Sequence, residues 1–227
     1  MGVAAESPTT VSNQSVTILD YGAGNLTSVR LACERFGVAP VMATCAEEAL
    51  PAGSIIFPGD GSAGSAMEQV RSRGYDRLLE KAVADGRPVL GICIGMQLLF
   101  DWSDEDGGVP ALGLLPGRVR RFDFPNHPEL KIPEMGWNAV HFDETHPLFR
   151  GIPQDTPFYF VHSYYCAPDS SPLVLGTTEY GGMEFCSAAI RGSLAATQFH
   201  PERSGEFGLR LFRNFLEWDG KGGTAGC

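Results

Sequence analysis

The segment at 88–97, Pro-Val-Leu-Gly-Ile-Cys-Ile-Gly-Met-Gln, constrains the fold most. An apolar strand-like run meets Gly-x-Cys-x-Gly there and passes directly into helical spacing. A chain that turns from strand to helix through one residue needs small neighbours two before and two after the turn, where Gly91 and Gly95 stand. Such an elbow presents Cys93 at a strand end, beside the amides that open a helix. Those amides favour thiolate over thiol, and the N–H of Ile94 can point at a developing oxyanion. A buried cysteine in a Gly-rich turn has the same letters, so a nucleophile here needs a base elsewhere in the chain.

The pattern around the elbow is a βα repeat. Residues 15–20, 40–43, 54–57 and 88–92 read as strands. Leu26, Val29, Cys33 and Phe36 recur at helical steps, and 76–84 and 96–102 read as helix. That alternation predicts an α/β fold: a mainly parallel, doubly wound sheet with helices on both faces and chemistry at the carboxyl ends of strands. After Gly117 short β-rich pieces at 118–122, 138–142, 158–162, 174–177, 185–190 and 193–199 predict an antiparallel β extension. Phe207, Leu211, Phe215 and Trp218 mark a closing amphipathic helix. At 227 residues one core can stand alone. Residues 15–220 are therefore read as one domain, 1–14 as a disordered N-terminal extension and 221–227 as a flexible tail.

Composition excludes several function classes. Seventeen Lys and Arg against 27 Asp and Glu leave a net charge of −10, which repels nucleic-acid phosphates and anionic lipid. The longest nearly apolar run, 88–100, falls short of the roughly 20 residues that span a bilayer. Residues 1–15 hold neither a basic residue nor an apolar block, so no targeting segment is read and a cytoplasmic location is expected. Six cysteines without a CxxC pair predict neither a disulfide framework nor a metal site, and no cofactor is implied.

A base and its orienting group stand together in Gln198-Phe199-His200-Pro201-Glu202. In extended backbone His200 and Glu202 would share a face, so the carboxylate can fix the imidazole tautomer. A Cys-His-Glu triad follows if residues 93 and 200 end on one sheet edge. Pro58-Gly59-Asp60-Gly61 also follows a strand; it reads either as a tight turn or as a second backbone N–H donor near the thiol. Gly22-Ala23-Gly24-Asn25 hints at a phosphate loop, but Thr27 replaces the third glycine. His162 ends another strand, and His127, His141 and His146 receive no role.

Gly-Ile-Cys-Ile-Gly-Met-Gln-Leu-Leu-Phe at 91–100 and Gln-Phe-His-Pro-Glu-Arg-Ser at 198–204 resemble the class I, triad-type glutamine amidotransferases, over essentially all of 15–220. Residues 19–26, Met135-Gly136-Trp137-Asn138 and 160–164 are similar to the glutaminase-subunit family of imidazole glycerol phosphate synthases. These segments set the chain apart from the glutaminases of anthranilate and pyridoxal phosphate synthases and from γ-glutamyl hydrolases. An intact triad argues against a non-catalytic platform. The resemblance implies a flavodoxin-like fold, Cys93 as nucleophile, His200 as base and then acid, and Glu202 as orienter. It implies an oxyanion hole from the Ile94 amide and a reoriented Asp60 peptide. Gly59, Gln97, Ser163 and Tyr164 would contact glutamine, while Trp137, Asn138 and Arg203 would meet a (βα)₈ cyclase subunit in a heterodimer that receives the ammonia. Three positions depart from the family pattern: Asp60 for Val, Glu134 for His and Arg203 for Lys.

Overall fold

The computed structural model describes residues 15–22, 26–49, 53–125 and 129–222. The expected extension at 1–14, positions 23–25 of the glycine-containing loop, His127 and most of the tail lie outside the described residues. The chain opens as β1 (Val16–Leu19), α1 (Leu26–Arg35), β2 (Val41–Ala43), α2 (Ala46–Ala49), β3 (Ser54–Gly59), α3 (Ala63–Ser72), α4 (Tyr75–Ala84), β4 (Val89–Cys93) and α5 (Ile94–Leu98). Then follow β5 (Phe100–Ser103), β6 (Val109–Pro110), β7 (Leu115–Arg121), β8 (Glu134–Phe142), β9 (Thr156–His162), β10 (Tyr164–Pro168), β11 (Val174–Tyr180), β12 (Met183–Arg191), β13 (Leu194–Thr197) and α6 (Gly205–Glu217).

The parallel part of the sheet runs β2-β1-β3-β4-β13. This is the doubly wound order in which sites form outside the carboxyl ends of the strands. Every residue of β1, β3, β4 and β13 is buried, as a sheet covered on both faces requires. Right-handed crossovers in opposite directions place helices on opposite faces. Accordingly α1 packs with α6, and α3 with α4. From β13 the sheet continues antiparallel through β12, β10 and β7, and a side branch of β11, β8 and β9 carries the β8–β9 hairpin. Among the described residues no helix is long and apolar enough to cross a membrane.

Residues 96–102 do not form the helix that their spacing predicts. Helix α5 stops at Leu98, and Phe100 and Trp102 pair with Leu115 and Arg118 of β7. Aromatic side chains fit that half-buried pleat better than a second helical turn. Helix α3 escapes the sequence pattern because alanines make up much of its buried stripe, Ala63, Ala66, Met67 and Val70. Trp218 lies just past α6 in extended conformation.

Candidate active site

Three neighbouring parallel strands end at one edge: Gly59 of β3 lies opposite Cys93 of β4, and Thr197 of β13 opposite Ile92. The chain leaves β13 toward His200, so topology alone carries the imidazole to the thiol. Cys93 stands at φ 56° and ψ −114°, a conformation that costs an L residue about 1–3 kcal/mol and persists only where packing over-determines it. That packing is explicit. A Cβ on Gly95 would overlap the Phe57 carbonyl oxygen, and one on Gly91 would sit 2.7 Å from Leu99 Cδ1. The two glycines therefore let α5 start hard against β3 and β4.

His200 Nδ1 is 2.8 Å from Glu202 Oε1, with side-chain exposures of 9% and 1%. The reason differs from the extended backbone anticipated above. Pro201–Arg203 forms a 3₁₀ turn, closed by Arg203 N–H donating to the His200 carbonyl at 3.0 Å, and it is this turn that folds the carboxylate back to the ring. His200 Nε2 is buried without a partner of hydrogen-bond geometry. Burial alone would depress the imidazole, but interaction with Cys93 and Glu202 outweighs it and pushes His200 up to about 10. Cys93 Sγ lies 3.9 Å from the Val161 carbonyl oxygen and 3.8 Å from Gln198 Nε2. Elsewhere burial pushes Cys33 and Cys186 up to about 12, and Cys166 well above its ordinary value, so these thiols are inert by comparison.

The thiol opens into a cleft of about 330 Å³ whose lining includes Asp60, Gly61, Ile94, Gln97, Ser163, Tyr164, His200 and Arg203. Gln97 is 1% exposed; its Nε2 donates to the Tyr164 carbonyl and to Gln198 Oε1, both at 3.0 Å, while its Oε1 has no partner. Glu105 also lines the cleft. Sequence reasoning passed over it because Asp-Glu-Asp at 104–106 resembles an ordinary solvated acidic loop. Burial pushes its carboxyl up, against the hydrogen bond that its Oε2 accepts from the Ala63 N–H at 2.8 Å. Among the described residues no three of His, Cys, Asp or Glu group as a metal site would need.

Gly59 lines a smaller crevice with Pro58, Ile92, His200 and Glu202. A Cβ there would overlap Tyr21 Oη and come within 3.0 Å of Gly95 N. The Tyr21 ring is buried, its hydroxyl has no partner, and burial together with the charges of Cys93 and Asp60 raises its pKa. Gly59→Ala is expected to cost about 1–3 kcal/mol through overpacking. Adding Tyr21→Phe should recover part of that cost, because it removes the overlapped atom. Denaturant midpoints of the single and double variants check this; equal losses in both would rule out the Tyr21 overlap as the cause.

Of the residues expected to face a partner, Trp137 and Arg203 are exposed, and both lie against Tyr159. Trp137 is 57% exposed and Met135 66%. Trp137 stands edge-on to Tyr159, centroids 6.2 Å apart, and the Arg203 guanidinium sits 4.6 Å above the Tyr159 ring. Asn138 is committed inside the chain, where its Nδ2 donates to Glu134 Oε1 at 2.9 Å and to the Glu179 carbonyl at 2.8 Å.

Residues 17–218 match the model described as "Glutamine amidotransferase class-I". The imidazole glycerol phosphate synthase subunit HisH of Nitrosococcus oceani is 46% identical over 208 residues, covering 91% of this chain and 98% of that protein. The subunit of the same name from Chlorobaculum tepidum is 44% identical, covering 89% of this chain and all of that protein. A solved glutamine amidotransferase superposes with a TM-score of 0.70 at 22% identity, over 91% of this chain and 99% of that one, a likeness of fold alone.

Proposed function

Since the chain belongs to the class I glutamine amidotransferases, we propose that it is the glutaminase subunit of an imidazole glycerol phosphate synthase, with Cys93, His200 and Glu202 as its triad. One observation supports this above all: a strained cysteine at a strand-helix elbow shares a sheet edge with a buried, carboxylate-held histidine. Cys93 sulfur attacks the side-chain carboxamide carbon of glutamine, and the carbonyl electron pair moves to oxygen. The Ile94 N–H and a reoriented Asp60 N–H receive that oxyanion. His200 then gives its proton to the departing nitrogen, so ammonia leaves and a glutamyl thioester remains. Water attacks the thioester as His200 takes its proton, releasing glutamate and restoring the sulfur.

The cleft suits glutamine. Gln97 Oε1, buried and unpartnered, offers an acceptor, Ser163 and Tyr164 form the wall beside it, and Glu105 supplies negative charge for the substrate ammonium. Ammonia passes to a cyclase subunit that docks over Met135, Trp137 and Arg203, an exposed apolar and cationic rim at the cleft mouth. Asn138 supports that rim from within.

An Asp at 60 makes the second oxyanion donor conditional, because a carboxylate turned toward the oxyanion would oppose its charge. Asp60 is exposed, consistent with a side chain turned outward. The isolated chain should therefore release little glutamate from glutamine, and the complex carrying the cyclase's ribonucleotide substrate should be strongly stimulated. Glutamate release by the chain alone, with the cyclase subunit, and with both subunits and the ribonucleotide checks this. Full activity of the chain alone would mean that the oxyanion hole needs no partner.

A further inference from the structure

Gln198 is completely buried, and its Nε2 reaches the Cys93 sulfur at 3.8 Å, beside the His200 imidazole that also interacts with that sulfur. Whether a glutamine amide helps or opposes a thiolate depends on which end faces it, since the NH₂ group donates and the oxygen repels. Here the neighbours decide. Glu134 and His162 oppose each other across β8 and β9, with Oε2 and Nε2 3.0 Å apart and side chains 4% and 2% exposed. His162 Nδ1 is 2.7 Å from the Tyr164 carbonyl oxygen, which can only accept, so Nδ1 carries a hydrogen. The same oxygen accepts from Gln97 Nε2, and the second hydrogen of that amide goes to Gln198 Oε1. With its oxygen so engaged, Gln198 has only its NH₂ group left for the sulfur. Turning Gln97 over would set its oxygen against two acceptor oxygens, and turning Gln198 over would set NH₂ against NH₂ and an oxygen against the sulfur.

We propose that Gln198 is a further catalytic residue, donating an N–H to the Cys93 sulfur, and that Gln97 and the Glu134–His162 pair are positioning residues that fix its amide. The proposal rests on Cys93 being the nucleophile. It gives a use to two features that the triad leaves unexplained: a glutamine sealed beside the thiol, and a buried acid–imidazole pair at a position where the family pattern has His.

The test uses the complex with the cyclase subunit and its ribonucleotide. Gln198→Met keeps the volume and removes the donor. It should slow iodoacetamide alkylation of Cys93 at neutral pH and lower glutaminase kcat, each about tenfold. The alkylation profile should shift to higher pH, with KM for glutamine nearly unchanged and synthesis from free ammonia intact. Gln198→Glu retains an acceptor for Gln97 but sets an oxygen against the sulfur, so it should lower the same two rates further. Glu134→Gln keeps a polar side chain of the same shape opposite His162 Nε2 and should stay near wild type, whereas Glu134→Leu should lose kcat without loss of glutamine affinity. Unchanged alkylation and kcat in Gln198→Met, with Cys93 still essential, would overturn the role of Gln198 alone. If wild-type complex alkylated at Cys93 still turned over glutamine, the nucleophile assignment would fall, and this proposal with it.

Discussion

Cys93→Ala should lower glutamine turnover by the complex about 10⁶-fold, the scale seen when a triad nucleophile is removed. Synthesis from free ammonia should continue. The two halves separate because the cysteine serves only amide cleavage, while the cyclase chemistry belongs to the other subunit. Among the described residues no other buried thiol is a ready substitute. The neighbouring thiols Cys166 and Cys186 are fully sealed and pushed up by burial, and neither stands at a strand-helix elbow. Measured glutamate release and ammonia-driven synthesis, side by side on one preparation, check the prediction. Loss of both activities would point to disrupted assembly instead of lost chemistry.

Glu202→Gln should cost less, about 10²- to 10⁴-fold in kcat, because the carboxylate orients the base without touching the substrate. Its effect should also appear in the titration of His200. Two partners hold the proton on a ring that burial would otherwise strip of it. Removing Glu202 leaves Cys93 alone against burial, so the imidazole should titrate at lower pH. The stability consequence has a definite sign. His200 in the folded chain titrates at about 10, above its ordinary 6.5, so its contribution to stability is fully present below 6.5 and fades as pH rises through about 10. In Glu202→Gln that alkaline loss should begin earlier. Histidine NMR titration and denaturant melts across the alkaline range read both effects; an unchanged His200 titration would mean that Glu202 does not hold the proton.

Much of this was legible in the letters. The elbow at 91–95 is legible because sterics leave few choices beside a strand that becomes a helix, and the structure fills both glycine positions with backbone and core atoms. The meeting of residues 93 and 200 was legible only through topology, since parallel neighbours end on one edge. Spacing predicts an extended backbone at His200 and Glu202, but Pro201 opens a 3₁₀ turn as readily as it sits in an extended strand, and the turn brings the two together. The spacing at 96–102 predicts helix for Phe100 and Trp102 because an apolar run has no period until its partner strand, β7, is known. Glu105 and Gln198 were invisible for opposite reasons. One sits in an acidic loop that looks solvated, and the other reads as strand filler until the orientations of two amides, an imidazole and a carbonyl are traced together.

The central claim is that glutamine is cleaved through a thioester on Cys93. Acid-quenching the ribonucleotide-bound complex during turnover, then mapping the covalent adduct by peptide mass spectrometry, tests it most directly. The account predicts one glutamyl group on the peptide containing Cys93, absent in Cys93→Ala and accumulating when the water step is slowed in Glu202→Gln. An adduct on a different residue, or steady glutamate release by Cys93→Ala with no adduct at all, would contradict it.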